Sequence, residues 1–277
     1  MNRVAVLGLI LSLNIDLICG AFEWSQISPQ SRARGSLNFS MNPSPLMVVR
    51  EPSALPLAFP ALEAAVAHPY QLTSLSASQV AVQGRFQQWG WSGSWQQFGR
   101  RDYTERKFNL AAGRSMNSTL NAGFTATLYS LRIRNYGQTS VLGWTLALRD
   151  ELQPGLLWGV ILENATHARF PGTEALPTII TTGFHMETKD LSLGVEWEQD
   201  LDYPGGLRFG VEYHPRPSIG LSAGVCQRPA RIAGGFSLIY RGIEIEYAAD
   251  YCPDLARFTA DLGLVVRLRR GRTGTNP

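Results

Sequence analysis

The sequence predicts an all-β chain: a transmembrane antiparallel β-barrel of about 14 strands, closed and lipid-facing. Three observations predict it: a series of alternating strands, an export signal ahead of them, and a parity in the lengths of the connections. The alternation is cleanest between Leu191 and Leu268. Leu191, Leu193, Val195 and Trp197 share one face, with Ser192, Gly194, Glu196 and Glu198 on the other. Leu207, Phe209, Val211 and Tyr213 stand against Arg208, Gly210, Glu212 and His214. Ile219, Leu221, Ala223 and Val225 oppose Gly220, Ser222 and Gly224, and Ile243, Ile245, Tyr247, Ala249 and Tyr251 oppose Glu244, Glu246, Ala248 and Asp250. In the last run Phe258, Ala260, Leu262, Leu264, Val266 and Leu268 oppose Thr259, Asp261, Gly263 and Arg267. Strand side chains alternate between faces, so each segment has one greasy and one polar side. Successive segments of about 10 residues with this period are the signature of an outer-membrane barrel.

Taken in order, the chain divides into a signal peptide (1–21), an N-terminal segment holding a candidate lumen plug and a first strand (22–75), the barrel (76–268) and a basic tail (269–277). Arg3, the apolar run Val4–Leu13 and the small residues Gly20-Ala21 form a secretory signal, with Phe22 as the first mature residue. The apolar run is too short to span a bilayer as a helix. From 22 to 75, Pro43, Pro45, Pro52, Pro56 and Pro60 exclude a long helix or a run of central strands. Thirteen strand segments follow, at 79–84, 86–98, 104–114, 119–132, 138–149, 155–164, 177–188, 190–199, 205–214, 217–226, 230–240, 242–251 and 256–268. One more strand within 35–50 makes the count even, as bacterial barrels require.

If the last strand ends in the periplasm, the connections at Arg241-Gly242, His214–Pro217, Lys189-Asp190, Asp150–Pro154 and Ser115–Asn117 are periplasmic, and all are short. The longest connection, Asn164–Leu176, then falls on the outer side, as expected of such barrels. Trp89, Trp91 and Trp95 share one strand face, suited to the headgroup interface. Asp261, Gly263, Val266 and Leu268 fit a C-terminal signal for the barrel-insertion machinery.

Composition agrees. Charged residues are 17% of the chain, below the roughly 25% of soluble domains. A net charge of +3 is too small to argue for nucleic acid. Loss of the signal leaves Cys226 and Cys252, both past strand ends at one rim, and so a candidate disulfide. One intervening strand separates their parent strands by nearly 10 Å, which leaves two free thiols as the alternative. His68, His167, His185 and His214 are scattered; no metal site, no cofactor and no nucleophile constellation is legible, so no enzyme is expected. The polar face carries Glu196, Glu198, Arg208, Glu212, Glu244, Glu246, Asp250 and Arg267, which must point into the lumen because lipid would exclude them. They are candidate lumen-lining residues of a tuned pore, or a paired charge network that keeps the barrel shut. An arginine at outward Leu264 or Val266 should cost about 2–4 kcal/mol, and at inward Thr259 much less.

Several stretches resemble the PorV/PorQ group of outer-membrane proteins, relatives of the FadL-type transporters. Ser31-Arg32-Ala33-Arg34-Gly35, Glu51-Pro52-Ser53-Ala54-Leu55 and Phe59-Pro60-Ala61-Leu62 match that group's segment before the barrel. Phe108–Arg114 and Leu176-Pro177 leading to Gly183 look like its strands, and Asp200–Pro204 followed by Leu207–Tyr213 is the closest match. The chain departs from it at Ser36–Ser40, where a glycine cluster is replaced, and at Phe59, which replaces an asparagine. The resemblance implies residence in the outer membrane, with its lipid and the insertion machinery as partners. It implies a channel or transporter for small hydrophobic molecules or, alternatively, a non-transporting accessory component of a type IX-like secretion system.

Overall fold

In the computed structural model, which describes residues 21–22, 28–72, 75–171 and 175–268, fourteen antiparallel strands close on themselves. They are β1 (Ala61–His68), β2 (Ala77–Phe86), β3 (Trp89–Arg100), β4 (Tyr103–Ser115), β5 (Leu120–Ile133), β6 (Gly137–Gln153) and β7 (Leu156–Glu163). The second half is β8 (Ile179–Glu187), β9 (Leu191–Asp200), β10 (Gly206–Arg216), β11 (Ile219–Cys226), β12 (Arg231–Tyr240), β13 (Ile243–Cys252) and β14 (Arg257–Arg267). Each strand pairs with its sequence neighbours, and β1 closes the ring on β14 from Ala61↔Arg267 to His68↔Ala260. Closure leaves no strand edge unpaired. The signal peptide, apart from Ala21, and the basic tail lie outside the described residues.

The strand expected within 35–50 is not there. That stretch is a short helix α1 (Pro29–Ala33) running into extended chain, then α2 (Met47–Arg50) and a 3-10 turn (Pro52–Leu57), all inside the ring. The missing strand is β1. Its alternation is strict in burial, with Ala61, Glu63, Ala65 and Ala67 inward and Leu62, Ala64 and Val66 outward. It is masked in the sequence because alanines serve both faces. Alanine suits the inward face here because Leu46 and Val49 pack against Ala65 and Ala81.

Connections on the rim that carries both ends of the strand series are short. Among its two-residue turns is Arg241-Gly242, where both residues have positive φ (50° and 88°), as a two-residue turn matched to strand twist requires. The longest connection, 164–178, is at the opposite rim, and its Phe170 is turned inward at 2% exposure.

The exterior is apolar. Leu142, Leu146, Phe209, Leu221, Ile245 and Leu264 are each between 44% and 50% exposed. In water a continuous belt of this kind would drive aggregation; around a closed barrel it is the surface that meets lipid hydrocarbon. Trp89 and Trp91 lie on this outer face at 46% and 49% exposure. No helix among the described residues is long and apolar enough to cross a membrane. The hydrophobic core sits inside the ring, where Val48, Ala54 and Leu55 pack on Ala111, and Phe39 on Ala147, Leu157 and Ile161.

Candidate functional site: the occupied lumen

The inward face of a strand needs side chains that suit whatever fills the barrel. Here that is residues 28–58. Ser28 caps α1 by accepting from the Ser31 amide at 3.1 Å, and Pro29 begins the helix at its first position, where no amide hydrogen is needed. The helix presents Arg32 to β13 and β14. Arg32 is 2% exposed, and its guanidinium holds Asp250 at 3.0 Å and Asp261 through Nε. Two residues on, Arg34 faces Glu212 at 3.7 Å.

The luminal segment then runs along the wall to β9 and β10. The Glu196 carboxylate accepts three hydrogen bonds from it: the Asn38 amide at 2.7 Å, the Phe39 amide at 2.8 Å and Asn38 Nδ2 at 2.9 Å. A carboxylate that accepts backbone donors in this way fixes chain direction as well as position. Arg50 reaches Glu163 and, at 2.8 Å, Glu198, which also binds Arg208; Arg208 in turn donates to the Ser36 carbonyl at 3.1 Å. Glu51, fully buried, meets Arg149 at 3.1 Å. Burial pushes the Glu51 carboxyl up to about 7, while Arg149 draws it down.

All eight charges read from the sequence therefore face the lumen. Six of them touch the luminal segment: Glu196, Glu198, Arg208, Glu212, Asp250, and Glu246, which accepts from the Gln30 amide at 3.2 Å; the other two, Glu244 and Arg267, pair with each other at 2.7 Å on the wall. Arg267 keeps 30% of its side chain exposed near the terminal rim. Of the segment's own charges, Arg32, Arg34 and Glu51 lie in the stretches that carry the PorV/PorQ resemblance, and Arg50 directly precedes one. Their pairing was not legible, because it joins positions about a hundred residues apart or more.

Clearance is supplied by inward glycines. A Cβ on Gly224 would stand 2.2 Å from the Gly35 amide nitrogen, and one on Gly210 2.3 Å from the Arg34 carbonyl oxygen. A Cβ on Gly90 would meet the Leu55 backbone at 2.2 Å, and one on Gly113 the Pro52 oxygen at 2.2 Å. These glycines let one backbone approach another. Gly224→Val should therefore push the segment off the wall, at a cost of about 1–3 kcal/mol from overpacking, while the barrel stays closed. Hydrogen exchange across 30–40 should rise in this variant and not in Ala223→Val, whose side chain faces outward.

One alternative left open by the sequence is decided and one expectation is corrected. Cys226 and Cys252 are buried free thiols, not a disulfide; Cys226 Sγ donates to the Arg228 carbonyl at 3.3 Å. Their strands flank β12, whose Arg231 pairs with Cys226, so a strand width separates the sulfurs. Thr259 does point inward, but it is 1% exposed and accepts from the Tyr70 amide at 3.3 Å, so an arginine there would have no open lumen to enter. Of the proposed insertion signal, Asp261 binds Arg32 and Gly263 lies under Pro29, where a Cβ would come within 2.9 Å; Val266 and Leu268 are on the outer face. A cavity of about 20 Å3 lies beside Phe22, Gln79, Gln96 and Lys107, room for a single water.

No protein-family model and no curated sequence matches the chain. Solved structures do. A TodX monoaromatic hydrocarbon channel mutant superposes with a TM-score of 0.71 at 10% identity, covering 90% of this chain and 100% of that one. The CymD monoaromatic hydrocarbon channel gives 0.67 at 11% identity, over 90% and 100%. A FadL homologue from Pseudomonas aeruginosa gives 0.64 at 9% identity, over 88% and 99%. The chain thus has the 14-strand barrel fold of the FadL-type channels.

Proposed function

We propose that the protein is an outer-membrane channel or transporter of FadL type that passes small hydrophobic molecules, with residues 28–58 as its internal gate. The observation that carries this reading is a lipid-facing barrel whose lumen is closed by its own N-terminal segment, seated through ion pairs and glycine contacts rather than through an apolar seal alone. Ion pairs of this kind are strong when desolvated and weak when water enters, which gives a seat that can exist in two states. The fold shared with hydrocarbon channels points to small apolar solutes. Export through a cleaved signal and insertion by the barrel machinery at the Asp261–Leu268 signal belong to the same reading.

The test is uptake of a radiolabelled monoaromatic hydrocarbon by cells lacking and expressing the protein, with a variant deleted in 28–58 measured beside them in planar bilayers. Faster uptake with the intact protein, and ion conductance that appears only on deletion, are expected. Unchanged uptake, joined to copurification with secretion components, would replace this reading with that of a PorV-like accessory protein of a type IX-like system.

A further inference from the structure

Glu105 on β4 is a buried carboxylate, 5% exposed, and among the described residues it has no ion-pair partner. A buried ionised carboxylate is costly unless a cation or several donors meet it. Its Oε1 atom accepts from the Tyr103 hydroxyl at 2.5 Å and from the backbone nitrogen of Phe22 at 2.9 Å. Lys107, two residues along β4, acts on Glu105 through space but forms no ion pair with it, and its Nζ stands 5.7 Å from the centre of the Phe22 ring and 5.6 Å from that of Tyr129. Phe22 is itself anchored. Its ring is 5% exposed, edge-on to Tyr129 at 5.2 Å and stacked with Phe170 of the long loop at 5.7 Å, with Ala168 and Leu176 completing the cluster.

The signal-peptide pattern independently places the cut between Ala21 and Phe22. Cleavage there turns the Phe22 nitrogen from an amide with one hydrogen into an α-ammonium with three hydrogens and a full charge. We infer that Phe22 is the first residue of the mature chain, and that its α-ammonium pairs with Glu105 in an aromatic socket of Tyr129 and Phe170, latching the leading end of the luminal segment. Signal removal would thus place a cation in hydrogen-bond contact with Glu105, which Lys107 reaches only through space. The unprocessed chain can offer Glu105 only a neutral donor and must also lead Ala21 and what precedes it out of the socket. Processing and seating are then coupled, and the latch sits at the far end of the segment from its covalent junction with β1. The inference rests on the cleavage reading and is independent of what crosses the barrel.

Amine labelling tests it. The sequence holds two lysines, exposed Lys189 in a turn and Lys107 in the socket. The folded protein, purified from the outer membrane, is treated with an amine-acylating reagent at neutral pH and digested, and the labelled peptides are quantified by mass spectrometry. The mature chain is expected to begin at Phe22. Its α-amine should label at least about tenfold more slowly in the native protein than after unfolding, since each unit by which an ion pair raises an amine's pKa removes nine-tenths of the reactive free base. Lys189 should label at one rate in both states. Glu105→Gln should abolish the slowing while the heat-modifiable gel shift of the barrel is kept. A chain that begins elsewhere, or a Phe22 amine that labels equally fast folded and unfolded, overturns the latch from the wild-type protein alone. A Glu105→Gln variant that folds and keeps full protection overturns the role of Glu105.

Discussion

Arg32→Met is expected to destabilise the seated luminal segment by about 3–5 kcal/mol, the cost of leaving buried charge uncompensated. The guanidinium is 2% exposed and holds two carboxylates, Asp250 at 3.0 Å and Asp261, each 3% exposed or less. Methionine has a similar length and fills the space, so the loss is electrostatic rather than a cavity. Two acids would then face each other across adjacent strands with no cation between them. The strands cannot separate, because β13 and β14 are paired from Ile243↔Val266 to Cys252↔Arg257. The strain must be relieved by the segment: α1 should leave the wall, and water should enter to solvate Asp250 and Asp261. The observable is hydrogen exchange in 29–36 together with bilayer conductance, both rising in Arg32→Met while the barrel keeps its gel shift. Adding Asp250→Asn and Asp261→Asn to the same chain removes the stranded charge and should recover most of the loss, as replacement of whole buried ion pairs commonly does. If the single and triple variants are equally destabilised, packing rather than charge seats the segment.

This division of labour between wall and segment explains what the sequence disclosed. The wall was legible because each strand repeats one rule with period 2, and lipid outside makes that rule strict. Glu196, Glu212 and Asp250 could be assigned to the inside from their neighbours alone. Their partners could not, since Arg32 and Asp250 are 218 positions apart and the segment carrying Arg32 has no period to read. The same limit hid β1: with Ala61, Ala65 and Ala67 inward, only Glu63 separates its two faces by residue type. Gly194, Gly210 and Gly224 were visible as members of the polar face, but their purpose depends on Leu37, Arg34 and Gly35 lying against them. Length alone assigned the long loop to the outer side and said nothing of Phe170 and Leu176, which turn inward on Phe22. Period therefore reports which solvent a face meets, and the lumen's contents are specified by pairings that only the folded ring brings together.

The outer face makes the other large prediction. Leu262 is the central residue of β14 (Arg257–Arg267) and is 52% exposed on the lipid side, between Val66 of β1 and Tyr247 of β13. The strand bounds thus put the bilayer midplane nearer Leu262 than Leu264 or Val266. Leu262→Arg should cost about 2–4 kcal/mol, and Phe258→Arg, on the same face but one residue from the strand's end, about 0–1 kcal/mol, because the penalty falls with depth. Both are measured as the folding free energy into phosphocholine vesicles, read from tryptophan fluorescence along a denaturant series. The gradient between the two positions, rather than either value, is the signature of hydrocarbon. Were the belt buried against a protein partner instead, the cost would follow local packing and not height along the strand. Equal costs at Leu262 and Phe258 would therefore remove lipid from the outer face.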